Sequence, residues 1–281
     1  MTVSEWIAYV DQRVWGPGML VLLMGTGVFL TLRTRFLPWR NLGWALKSVL
    51  GRDSRAKAGG AGDVSPFSAL MTALAATIGT GNIVGVATAL VAGGPGALVW
   101  MELSALFGMA TIFTESVLAV RFRRRDHRGQ WAGGPMYVME AAFGRRAGRL
   151  LGTVFSLFAV GASLGIGSLT QANAIADALS STFALPAGPV GLVTAWLALL
   201  GILGGIRSIA KVTSVLVPVM AVLYLAAGLV VIGGNLGNLP EGLLAILCSA
   251  FSPRAAAGGF AGMWAAARWG VARGVFSNEA G

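Results

Sequence analysis

Five residues near the middle of Pro66–Ala92 (PFSALMTALAATIGTGNIVGVATALVA) could do chemistry: Ile78, Gly79, Thr80, Gly81 and Asn82. Two glycines, a hydroxyl and a carboxamide interrupt an otherwise apolar run. Glycine exposes the backbone, and an asparagine in hydrocarbon needs hydrogen-bond partners. If this run crosses a bilayer, its centre is expected to be non-helical. Unwound backbone at membrane depth is tolerated only inside protein or beside a cavity. There, free N–H groups can face an anionic group, and free carbonyls can face a cation. Small residues also let helices approach closely, so a packing face is the competing explanation. Asn82 and Thr80 at mid-span tilt the balance toward a site.

A second polar cluster is Trp269–Gly281 (WGVARGVFSNEAG), with Arg273, Ser277, Asn278 and Glu279 close behind Arg268. It is too polar for a lipid-facing helix. It reads equally as a broken span or as a cytoplasmic loop. Glu102 and Glu115 stand 13 residues apart in one apolar run. That is about 220° around a helix and about 20 Å along it, so they cannot form a carboxylate pair. Structural pairing or interface exposure suits them better than an ion path. The single His (His127) and single Cys (Cys248) exclude an intrachain disulfide and a multi-ligand Cys/His metal site. No nucleophile–base pair lies within the apolar runs, which argues against a membrane-embedded enzyme. No repeated pore motif suggests a channel.

The elements that must hold these residues follow from composition. The 281 residues are 56% hydrophobic and only 11% charged, against about 25% charged in soluble domains. Mean hydropathy is +0.74. Runs at 16–32, 66–90, 97–120, 149–170, 188–206 and 210–233 are long enough, or nearly so, to cross a bilayer. A seventh begins after Phe251. The net charge of +10 is concentrated in alternate links: 33–57, 121–149, and Arg207 with Lys211. The links between them, 91–96, 171–187 and 234–242, contain no Lys or Arg. Positive residues favour the cytoplasmic side. The alternation places the N-terminus outside and explains the charge without nucleic acid. Gly133–Gly144 is too short to span and is expected to lie at the cytoplasmic interface. Leu243–Phe251 is expected to be an outer interfacial helix or the first half of the seventh span. Pro218 should kink the sixth span. His127 should be solvated, Cys248 should be a small packing residue, and Trp15, Trp39 and Trp100 should anchor the interfaces.

Five segments resemble the sodium:alanine (alanine or glycine:cation) symporter family: ATIGTGNIVGVATAL (76–90), GGPGALVWME (93–102), FTESVLAVRFR (113–123), GGPMYVME (133–140) and GVARGVFSNEAG (270–281). The resemblance implies an all-α polytopic membrane protein of LeuT-type fold, with two inverted five-helix repeats. On this chain it implies a peripheral helix and basic loop over 1–65, a first repeat over 66–234, and the start of a second repeat over 235–281, most of which would be missing. It further implies Na⁺-coupled symport of small neutral amino acids such as alanine and glycine across the cytoplasmic membrane. By resemblance, Gly79, Thr80 and Gly81 meet the substrate carboxylate with Asn82 beside them. The carbonyls of Ala75 and Ile78 are candidates for Na⁺. Phe276, Ser277 and Asn278 line the opposite side. Gln171 either bonds the substrate or is an ordinary interfacial residue. A proton in place of Na⁺ remains an alternative. A chain without most of the second repeat is expected not to transport by itself.

Overall fold

Proline opens three of the helices. Pro17, Pro66 and Pro135 each occupy the first helical position, where a missing N–H costs nothing and the fixed φ suits the helix. The computed structural model describes residues 2–51, 54, 64–127, 129, 131–251 and 260–278. Its helices are α1 Val3–Val14, α2 Pro17–Arg33, α3 Leu37–Arg40, α4 Leu42–Leu50, α5 Pro66–Thr77, α6 Thr80–Gly93, α7 Ala97–Arg121, α8 Pro135–Ala162, α9 Thr170–Phe183, α10 Ala187–Leu203, α11 Gly205–Gly234, α12 Leu239–Phe251 and α13 Phe260–Asn278. A π-helical segment, Ser163–Leu169, joins α8 to α9. Strands β1 Arg124–Arg125 and β2 Trp131–Ala132 pair antiparallel.

The six expected spans are helical. Pro66–Gly93, α7, the run Pro135–Phe183 and α11 are long and apolar enough to cross a membrane. Helices α2 and α10 are apolar but 17 residues long, just under the roughly 20 that a straight crossing takes. Apolar side chains lie uncovered along these elements: Val222 is 66% exposed, Val230 74%, Leu192 75% and Leu203 74%. Water does not tolerate so much contiguous apolar surface, whereas lipid does.

Several expectations need correction. The link 171–187 is helical through Phe183, because the π-helical segment carries the fourth span into α9 without a break. Gln171, the second residue of α9, therefore sits within a continuous helix. The basic link 121–149 contains the β1–β2 hairpin, where the Arg123 and Arg125 guanidiniums stand 4.2 and 5.0 Å from the Trp131 ring centre. Pro218 lies inside α11. Cys248 is exposed. Trp100 is a packing residue: its indole Nε1 donates to the Ala250 carbonyl at 3.2 Å, and its ring lies 5.9 Å from that of Phe251. Leu243–Phe251 is helical within α12, and the described part of the seventh run, Phe260–Asn278, is helical as α13.

Packing groups the chain into two units, residues 1–111 with 206–281, and residues 112–205. In the first, Gly27 of α2 fits against Phe107 of α7, where an added Cβ would come within 3.0 Å of the Phe107 Cβ. Ala89, Ala97 and Met101 form a small buried core with Val86 and Leu98. In the second unit α8 reverses at Gly144, whose φ of 78° and ψ of 177° interrupt the helix. This region of backbone space is essentially glycine-only. The reversal folds Pro135–Phe143 back on the following helix. An added Cβ on Gly152 would lie 3.1 Å from the Met136 carbonyl oxygen, and one on Gly148 would strike Met139 and Glu140. The expected interfacial helix is thus one arm of a helical hairpin.

Candidate functional site

The second span is broken where its composition changes. Helix α5 ends at Thr77, and α6 starts at Thr80, leaving Ile78 and Gly79 between them. The break is narrower than expected, because Thr80, Gly81 and Asn82 form the first turn of α6 rather than irregular chain. Hydrogen bonding at the gap is partial. Ile78 N–H donates to Leu74, Gly79 N–H to Thr77, and the N–H groups of Asn82 and Ile83 both donate to Gly79. Among the described residues, the N–H groups of Thr80 and Gly81 have no backbone acceptor. The carbonyls of Ala75, Ala76 and Ile78 likewise accept no backbone hydrogen bond. The gap therefore offers two amide donors at a helix N-terminus and three carbonyl oxygens from the preceding helix end. The first set suits an anion and the second a hard cation.

Asn82 ties the two sides of the break together. Its Nδ2 donates to the Thr77 carbonyl, and its Oδ1 accepts from the Ser277 hydroxyl of α13. Ser277 is buried. Phe276 covers Gly81, where an added Cβ would stand 3.4 Å from Phe276 Cε1 and 3.5 Å from Ser277 Cα. The structure thus brings Gly81 and Asn82 together with Phe276 and Ser277. Asn278 is the last described residue of α13, and Glu279 lies outside the described residues. Gln171 belongs to the second unit and is half-buried on α9.

Close backbone approach brings α13 to this place. Helix α13 runs antiparallel to α6, with Gly93 against Ala265 and Trp269 at one end and Gly81 against Phe276 and Ser277 at the other. On α7, Gly270 meets Ala97 and Trp100, and Gly274 meets Met101 and Ser104. The signal for this contact was present in the sequence as Gly270-x-x-x-Gly274, a spacing that puts both glycines on one helix face. A second polar contact lies near the break: Thr72 of α5 shares a hydrogen bond of 3.1 Å with Thr213 of α11. Nothing in the sequence pattern marked those two threonines as partners.

The profile of the sodium:alanine symporter family matches residues 1–281. The chain belongs to that family. Its members are symporters, not enzymes, and the uncovered apolar helices agree with a multi-pass membrane protein. A sodium/alanine symporter of Methanococcus maripaludis is 50% identical over 97% of this chain and 59% of its own length. A transporter of Haemophilus influenzae with no assigned substrate is 49% identical over all of this chain and 61% of its own. A probable sodium/glutamine symporter of Bacillus subtilis is 37% identical over 98% of this chain and 56% of its own. The symporter-family chain described here therefore spans about three-fifths of the length of these relatives.

Proposed function

We propose that this chain carries the broken-helix half of a binding site for a small neutral amino acid and Na⁺, in a symporter of the cytoplasmic membrane with its N-terminus outside. The observation that carries the proposal is the break between Thr77 and Thr80, with unpaired amides on one lip and unpaired carbonyls on the other. The amides of Thr80 and Gly81 receive the substrate carboxylate at the positive end of the α6 dipole. The carbonyls of Ala75 and Ile78 contribute oxygen ligands to Na⁺, a hard cation. Asn82 holds the lips in register and offers its carboxamide to the substrate. Phe276 and Ser277 close the opposite wall, and Asn278 continues it. Gln171 is a further candidate for contact with the substrate.

Within a LeuT-type arrangement, spans two to six over 66–234 form the first five-helix repeat, 1–65 is peripheral, and 235–281 begins the second repeat. Sites in such folds lie between repeats, so coupled transport is assigned to the whole-length protein. Alanine is the substrate named for the relative of highest identity quoted above, and glutamine for a more distant one. Phe276 packs beside Gly81 at ordinary contact distance, and this wall favours the smaller side chain.

The test is uptake of labelled alanine by the full-length protein in proteoliposomes under an inward Na⁺ gradient. Uptake is expected with Na⁺ and not with K⁺, and Asn82→Ala is expected to abolish it without loss of protein from the membrane. Equal uptake in the two salts rejects sodium coupling, and normal uptake by the Asn82 variant rejects the site.

A further inference from the structure

The second unit holds a cavity of about 300 Å³ between the last turns of α7 and the first arm of the α8 hairpin. Leu118, Ala119, Val138 and Met139 give it apolar walls, and Glu115 and Ser116 bring polar side chains to it. Among the described residues, Glu115 has no ion pair and no hydrogen bond. Glu140 on the same hairpin differs: it pairs with Arg124 at 3.2 Å and Arg149 at 3.5 Å. Glu115 stands six residues before Arg121, or about 9 Å deeper along the helix. An unpaired carboxylate at that depth of a span is costly, and a cationic partner offsets the cost.

The lining limits which cation fits. One carboxylate and one hydroxyl supply three oxygens, whereas hard inorganic cations of the calcium and magnesium type take about six or more. The remaining side chains, of Leu118, Ala119, Pro135, Val138 and Met139, carry no oxygen or hydrogen-bond donor. An ammonium group on an apolar skeleton matches both features. A zwitterionic amino acid does not, because its carboxylate would be brought close to that of Glu115. With about 30 Å³ for each water-sized unit of liquid, the volume admits roughly ten heavy atoms. We propose that the cavity beside Glu115 is a binding site for a small amphiphilic ammonium compound, distinct from the amino-acid site. The cationic end pairs with Glu115, and the skeleton lies against Leu118, Val138 and Met139.

The test is titration calorimetry on the detergent-purified full-length protein, with phenethylammonium as the probe and 2-phenylethanol as its uncharged counterpart. Phenethylammonium is expected to bind saturably, at least about tenfold more tightly than the alcohol. Glu115→Gln should weaken the amine by about tenfold and leave the alcohol unchanged. Met139→Trp should fill the cavity and exclude both. Four outcomes overturn the proposal: no saturable amine binding, equal binding of amine and alcohol, unchanged amine affinity in Glu115→Gln, or unchanged affinity in Met139→Trp. The comparison of two probes on the unaltered protein does not depend on any variant folding. Asn82→Ala should bind the amine normally although it fails in alanine uptake, so failure at either site is read separately.

Discussion

Replacing Gly81 tests whether the wall formed by Phe276 sets the capacity of the site. An alanine Cβ would sit 3.4 Å from Phe276 Cε1 and 3.5 Å from Ser277 Cα, which is ordinary contact. Alanine also has the higher helix propensity, by up to about 1 kcal/mol. Gly81→Ala is therefore expected to keep uptake within about threefold of the unaltered protein. Leucine adds three further carbons beyond that Cβ, with the ring already in contact. Overpacking of this kind costs about 1–3 kcal/mol. Charged wholly against the substrate-bound state, that cost lowers uptake by about 5- to 150-fold. The assay is initial-rate alanine uptake in proteoliposomes, normalised to inserted protein. The double variant Gly81→Leu with Phe276→Ala relieves the collision and should recover at least part of the loss, a coupling that independent sites do not show. Undiminished uptake by Gly81→Leu would refute the placement of the site. A loss left unchanged by removal of the Phe276 ring would refute the steric mechanism.

Gly144→Ala should destabilise the protein by about 1–3 kcal/mol in thermal unfolding, because its φ of 78° with ψ of 177° suits only glycine. No atom lies within 4 Å of the added Cβ, so the loss comes from the backbone. Gly161→Ala, equally open but inside the regular part of α8, should be neutral or stabilising, and equal melting of the two variants contradicts the hairpin. Glu140→Gln removes both pairs of a carboxylate whose arginine partners are 54% and 62% exposed, so the stability change should stay within about 1 kcal/mol and fade with salt. A loss well beyond that range would show the clamp to be structural. Cys248 is exposed on α12. With the N-terminus outside, a membrane-impermeant maleimide should label it in intact cells once any other cysteines are replaced. Labelling only after permeabilisation would reverse the topology.

The spans and the break were legible because both depend on residue types that hydrocarbon treats very differently. Leu and Val runs mark membrane depth, and Gly79, Thr80, Gly81 and Asn82 stand out against them. The exact edges of the break were not legible. Thr80–Asn82 enter the helix because α6 gains regular hydrogen bonds from Asn82 onward and loses only two amides at its start. The stretch 171–187 reads as a link, yet within it the Asn173 side chain donates to Asp177 one turn along at 2.9 Å, an arrangement helices tolerate well. The hairpin at Gly144 was missed for a different reason. Its helix–helix contacts run through Gly148 and Gly152, and glycines carry no apolar signal. The pairing of Thr72 with Thr213 joins positions 141 residues apart, which no local pattern encodes.

The two halves of the second span have different neighbours. Helix α5 is tied to α11 through Thr72 and Thr213, whereas α6 is keyed to α13 along its whole length from Gly81 to Gly93. Ile78 and Gly79 form the chain link between them, and the Asn82 side chain straps it by donating to the Thr77 carbonyl. A tilt of α11 can therefore swing α5 like a door on a two-residue pin only as far as that strap gives, while α6 stays bolted to its frame. Such a swing changes the separation of the carbonyl lip from the amide lip, and hence the grip on whatever lies between them.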